Sequence, residues 1–167
     1  MVSLLDPASV AHLQAAPFTY DDVGATLDAP PAGWATLRVT RILERRDFEQ
    51  AAAELLAWQV QEGAGLRVAA SSPQVVADAV VRAQIGLGPL RISAPCRVVA
   101  LIGEPDRAGF VYGTLPRHPV QGEELFALQR LGDGSVRLEV VAFSRPALGA
   151  ARPLAQRYLH ALDRPAR

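Results

Sequence analysis

Apolar spacing divides the chain into an early strand, one helix, a long β-rich stretch and a closing helix. Residues 34–44, WATLRVTRILE, carry Leu37, Val39 and Ile42 near Thr36 and Thr40 and read as a strand with imperfect alternation. Phe48, Ala52, Leu55, Leu56 and Gln59 then recur at helical spacing. Asp47 as N-cap with Gln50 three residues on makes a capping-box pattern, and Gly63 and Gly65 stop the run, which predicts a helix over 47–62. Short strands follow at 66–70, 90–102 (broken at Pro95), 109–115, 122–131 and 135–144, with Gly132-Asp133-Gly134 as the last hairpin turn. Residues 74–85 fit either a helix or a β-branched strand and are assigned to strand by their neighbours. In PLAQRYLHALDR, 153–164, Leu154, Tyr158, Leu159 and Leu162 share one helical face.

This order predicts an α+β fold: a curved antiparallel sheet of six to seven strands, with an early helix and a C-terminal helix packed on one face. The length suits one domain, 1–167. Residues 1–30 are weakly periodic and punctuated by Pro7, Pro17, Pro30 and Pro31, so they read as an arm packed on that domain through Phe18, Tyr20 and Val23.

Composition narrows the chemistry. The seventeen basic residues are all arginine, so Schiff-base and lysine general-base mechanisms are impossible. Seventeen acids balance them, and only Arg45 and Arg46 are adjacent, which argues against nucleic acid as a partner. No apolar run approaches the roughly 20 residues of a membrane span. The start, MVSLLDPASV, lacks a basic region followed by a long apolar one, so a cytoplasmic location is expected. Cys96 is the lone cysteine and is expected to be a small buried hydrophobe. His12, His118 and His160 show no ligand spacing, so neither a metal nor a cofactor is expected.

The densest segment is Tyr112 to Glu124, YGTLPRHPVQGEE. With PFTYDDVGAT (17–26), FEQAAAELLAW (48–58) and AFSRP (142–146), it resembles the signature set of uncharacterised protein family 0548. Arg117 stands where that resemblance implies glycine, and Val120 where it implies an acid. The tail after Pro146 is short for the family, which implies a final helix of about three turns. The element order is similar to the helix-grip arrangement of START and Bet v 1-like ligand binders, in which a sheet wraps a C-terminal helix.

Several residues of this segment are candidates for chemistry. His118, between Pro116 and Pro119, is held on a rigid turn and has a pKa suited to acid–base work; the alternative is a turn histidine bonded to backbone. Glu123 and Glu124 point to opposite faces of a strand, so one of them faces inward, and the pattern leaves open which. A buried one needs a partner, for which Arg97, Arg137 and Arg145 are the candidates. Phe110, Tyr112 and Thr114 share a face that reads as either pocket wall or core, and Arg145 is placed to reach a ligand at the mouth. The leading expectation is a small hydrophobic or amphipathic ligand in a cavity of a few hundred Å³, bound by Phe110, Tyr112, Thr114 and Arg145. The alternative is a cavity enzyme of cyclase, hydratase or hydrolase type, using His118 with Glu123 or Glu124. A third reading is a self-associating module, a homodimer formed through an apolar patch that the short helix leaves uncovered.

Overall fold

In the computed structural model, described over residues 1–87, 90–146 and 151–163, one curved sheet carries helices on its concave face. The strands are β1 (Ser3–Leu4), β2 (Ala35–Ile42), β3 (Arg67–Ala70), β4 (Val80–Leu87), β5 (Leu90–Glu104), β6 (Arg107–Thr114), β7 (Gln121–Arg130) and β8 (Val136–Arg145). The helices are α1 (Pro7–Ala15), α2 (Phe48–Leu55), α3 (Gln59–Gly63) and α4 (Ala151–Leu159), with a single 3-10 turn at Ala25–Leu27. Strand order is β1-β3-β4-β5-β6-β7-β8-β2. Every pairing is antiparallel except β1 on β3. The sheet thus has eight strands rather than six or seven: the added one is β1, whose two residues are too few to show a period. Among the described residues no helix is long and apolar enough to cross a membrane.

The helices diverge from the sequence pattern in three places. α1 was hidden in the arm because its apolar residues are spread around the helix, and only Leu13 is buried. Its start is nonetheless encoded locally: Asp6 Oδ1 accepts the Ser9 amide at 2.9 Å, and Pro7 occupies the first turn. The helix expected over 47–62 is two helices, α2 and α3, separated by Trp58 in the left-handed region at φ 64°. That conformation costs roughly 1–2 kcal/mol for an L-residue. Burial of the indole offsets it: the ring is fully enclosed, packs on Phe110 at 5.5 Å, and donates Nε1–H to the Ser72 carbonyl at 3.2 Å. The capping box does not form. Asp47 is drawn instead to Arg45, and Gln50 donates to Glu54.

In the sheet, residues 71–79 form a turn and β4 begins only at Val80, later than the expected strand at 74–85. Pro95 does not break β5. It pairs with Arg82, and its imide nitrogen is tolerated because β6, on its other flank, ends at Thr114. The irregularity in β5 is a bulge between Val98 and Ala100.

Two apolar layers hold the elements together. On the concave face Val81, Val98, Phe110, Phe126 and Leu138 meet Phe48, Leu55 and Trp58, and also Tyr158, Leu159 and Leu162 of α4 and the turn after it. On the convex face Ile102, Val111, Leu125, Ala127 and Val141 form a second cluster, with the 3-10 turn lying against β7 and β8. Because both faces are covered, β6 is buried almost throughout and loses the alternation of a half-exposed strand.

Candidate functional site

The register of β6, β7 and β8 decides the two glutamates. Tyr112 lies opposite Glu124, which lies opposite Ala142, and all three face the helices. Gly113 lies opposite Glu123, which lies opposite Phe143, and these face the N-terminal arm. Glu124 is therefore the inward residue.

Glu123 is 3% exposed and closes a clasp on the arm. Its Oε2 accepts the Tyr20 hydroxyl at 2.7 Å and the Gly24 amide at 2.7 Å. Its Oε1 accepts the Thr26 amide at 2.9 Å and the Thr26 hydroxyl at 2.6 Å. Gly113 makes room for this: a Cβ there would lie 2.0 Å from the Tyr20 hydroxyl. Gly122, at φ 144°, lies so close to β8 that a Cβ would meet the Phe143 carbonyl at 2.0 Å. Burial, then the bond to Glu123, push the Tyr20 phenol far above its ordinary range.

On the opposite face a cavity of about 130 Å³ lies between the sheet and α4, below the expected few hundred Å³. Its walls are mostly apolar, among them Leu37, Leu66, Val81, Ala83, Ala142 and Leu154. Its polar lining residues are Glu123 and Glu124 of β7, Tyr112 and Thr114 of β6, His118 after it, Ser144 of β8, Tyr158 of α4 and Gln61 of α3, the Glu123 carboxylate itself being turned to the arm. Tyr112 donates its hydroxyl to Glu124 Oε2 at 2.8 Å, which is the one hydrogen bond to that side chain among the described residues. The carboxyl keeps some accessible surface although protein surrounds it, because what it faces is the cavity. Burial pushes its pKa from an ordinary 4.5 to about 7, against the opposing pull of the Tyr112 bond. Burial and the Glu124 charge push Tyr112, Tyr158 and Cys96 upward as well. Gln61 is 1% exposed, and among the described residues neither its Nε2 nor its Oε1, both without appreciable accessible surface even toward the cavity, has a partner. Such a group costs on the order of 1–3 kcal/mol while it stays unpaired.

A family model for a domain of unknown function, DUF1990, matches residues 19–165. The chain belongs to the DUF1990 family. Over 56 residues it is 54% identical to a UPF0548 protein of Deinococcus radiodurans, a match spanning 34% of this chain and 28% of that relative. Among solved structures, a hypothetical protein of Helicobacter pylori, jhp0584, superposes with a TM-score of 0.61 at 8% identity, covering 87% of this chain and 94% of its own. Major latex-like protein 151 of Panax ginseng superposes at 0.51 with 14% identity, covering 77% and 92%. Identities this low carry the fold alone, which is the helix-grip fold of Bet v 1-like proteins.

The other candidate residues of this DUF1990 chain are distributed as follows. His118 lines the cavity, with Nδ1 against the backbone of Val120 (2.8 Å to its carbonyl, 3.1 Å to its amide), and burial holds its pKa below the ordinary 6.5. Thr114 lines it too, but its hydroxyl is committed to Gly122 at 2.9 Å and 3.1 Å and to Thr19 at 2.5 Å. Phe110 is absent from the cavity wall and lies deeper, with its ring 5.4 Å from Phe126. Arg145 also stands apart: it donates to the Gly33 carbonyl at 2.9 Å and covers the Trp34 ring at 4.4 Å, on the arm side. Nor do the other candidate arginines reach a glutamate of the pair: Arg97 bonds the carbonyls of Gln14 and Ala16, and Arg137 bonds Gln129. Sequence reasoning missed Gln61, because the left-handed turn at Trp58 shifts the helical phase just before it.

Proposed function

We propose that this DUF1990 protein binds a small hydrophobic or amphipathic molecule in the cavity between sheet and α4. The observation that carries this reading is an under-bonded carboxyl, Glu124, facing a mostly apolar cavity. A protein interior seldom leaves such a group short of partners, and a ligand with one polar head and an apolar body supplies what it lacks. The volume sets the scale, since an apolar cavity of about 150 Å³ takes up benzene.

Two measurements test it. Native mass spectrometry on gently purified protein should reveal a retained small molecule, identified after denaturing extraction. Toluene, titrated into extracted protein and followed by NMR, should give saturable shifts at Leu37, Val81 and Ala142. Filling the cavity with Ala142→Leu should abolish both signals. A bare protein mass together with no saturable toluene response would overturn the proposal.

One observation supports a second reading: His118 and Glu124 line the same cavity, as an acid–base pair requires. A crystal structure of the toluene complex with His118 out of contact with the ligand would remove it.

A further inference from the structure

The cavity has a charge problem that its own residues leave unsolved. Glu124 is enclosed, yet no arginine of the described residues lines the cavity, and the chain has no lysine. Among the described residues the ionisable groups facing Glu124 come from every element packed around it, and none is a cation at neutral pH. Tyr112 of β6, Tyr158 of α4 and Cys96 of β5 are neutral because burial raises them, and His118, after β6, is neutral because burial lowers it. Arg157 of α4 is exposed and lies over Gly65, outside the cavity. A buried carboxyl either keeps its proton or meets a cation; Glu124 on its own does the first, and a cation for the second has to arrive from outside.

Hydrogen-bond capacity points the same way. Among the described residues Glu124 accepts only from Tyr112, which leaves its second oxygen and further lone pairs unused. The unmet demand is therefore chiefly for donors. An ammonium group brings three donors and a positive charge; a hydroxyl brings one donor and no charge; a carboxylate brings neither and would repel Glu124.

We propose that the cavity selects a primary amine on a body about the size of a benzene ring, with the ammonium group held by Glu124. This rests on the cavity-binding function proposed above and specifies the head group of its ligand.

A matched series separates the two proposals: toluene, benzylamine, benzyl alcohol and benzoate, titrated at pH 8 into wild type and Glu124→Gln. In wild type, benzylamine should bind at least tenfold more tightly than benzyl alcohol, and benzoate should not bind. Glu124→Gln should erase the amine preference and keep toluene binding, which also certifies an intact cavity. Because the amine must displace the proton on Glu124, its affinity should fall about tenfold per pH unit below about 7, while that of the alcohol should not. Equal binding of amine and alcohol, tighter binding of benzoate, or an amine preference that survives Glu124→Gln would each overturn the amine inference. Toluene binding in that event leaves the cavity function standing. Failure of all four compounds overturns both.

Discussion

Replacing Glu123 should release the N-terminal arm without altering what the cavity binds. The carboxylate accepts four hydrogen bonds, from the Tyr20 hydroxyl, the Gly24 amide, and the amide and hydroxyl of Thr26. Hydrogen bonds to a charged group contribute roughly 1.5–3 kcal/mol each, but these four share one acceptor and are not additive. Removing one partner of such a buried charged set costs about 3–5 kcal/mol, which sets the expectation for Glu123→Ala. Glu123→Gln should cost less, about 2–3 kcal/mol. Its carbonyl oxygen can still serve Thr26, and the Tyr20 hydroxyl can turn to accept from the new NH₂. The Gly24 amide, however, would face a second donor with no way to adapt.

Thermal denaturation reads this directly. In a chain of this size 1 kcal/mol shifts Tm by about 2–4 °C, so Glu123→Ala should lower it by roughly 6–20 °C and Glu123→Gln by about half as much. Hydrogen exchange localises the effect: the Gly24 and Thr26 amides should lose protection in both variants, while the β6–β7 ladder keeps its own. Gly113→Ala, whose Cβ would intrude on Tyr20, should release the same amides by a steric route. A Tm loss below about 3 °C for Glu123→Ala, or unchanged arm protection, would refute the clasp.

Two further outcomes follow from the geometry. Glu124 holds its proton more tightly folded (pKa about 7) than unfolded (4.5), so its contribution to stability is complete below pH 4.5 and is lost as pH rises to about 7. Glu124→Gln should therefore match wild type near pH 4 and exceed it at pH 8 by at most about 3 kcal/mol, as read by denaturant titration at the two pH values; parallel pH profiles would contradict this. Arg117 sits at φ 76° on an exposed turn, where the family resemblance implies glycine, so Arg117→Gly should gain about 0.5–1 kcal/mol, with calorimetry showing a higher Tm. A lower Tm would mean that the arginine side chain holds the turn.

Much of the sheet was legible because its strands are short apolar, β-branched runs bounded by turn residues, and the Gly132-Asp133-Gly134 turn fixes the pairing of β7 and β8. The missed elements had no periodic signal to offer: a two-residue strand, a helix that buries one side chain, and a left-handed turn made at tryptophan rather than glycine. At the site, strand parity alone established that Glu123 and Glu124 diverge. Which one turns inward depends on the register between β6 and β7, and a turn of Leu115 to Val120 does not reveal that. The arginines were misleading for a related reason. Long side chains find the nearest carbonyls and rings, and for Arg97, mid-way along β5, and Arg145, at the end of β8, these belong to the arm and its continuation.

The segment from Tyr112 to Glu124 reads as one motif, yet strand parity splits it into two devices facing opposite ways. Gly113 and Glu123 serve the outer face, where Tyr20 lies on the glycine and the arm closes over the glutamate. Tyr112 and Glu124 serve the inner face, where a hydroxyl and a carboxyl supply the polar end of the cavity. Adjacent residues on one strand move together, so the clasp also has a mechanical consequence for the cavity. Four hydrogen bonds on Glu123 fix the backbone from which Glu124 projects, and Thr114 fixes it again through Gly122 on the preceding residue. A carboxyl that must meet one head group gains from such a rigid support, because little ordering remains to be done when the ligand arrives. The two glutamates then divide the work by face: the outer one holds the strand in place, and the inner one confronts the ligand.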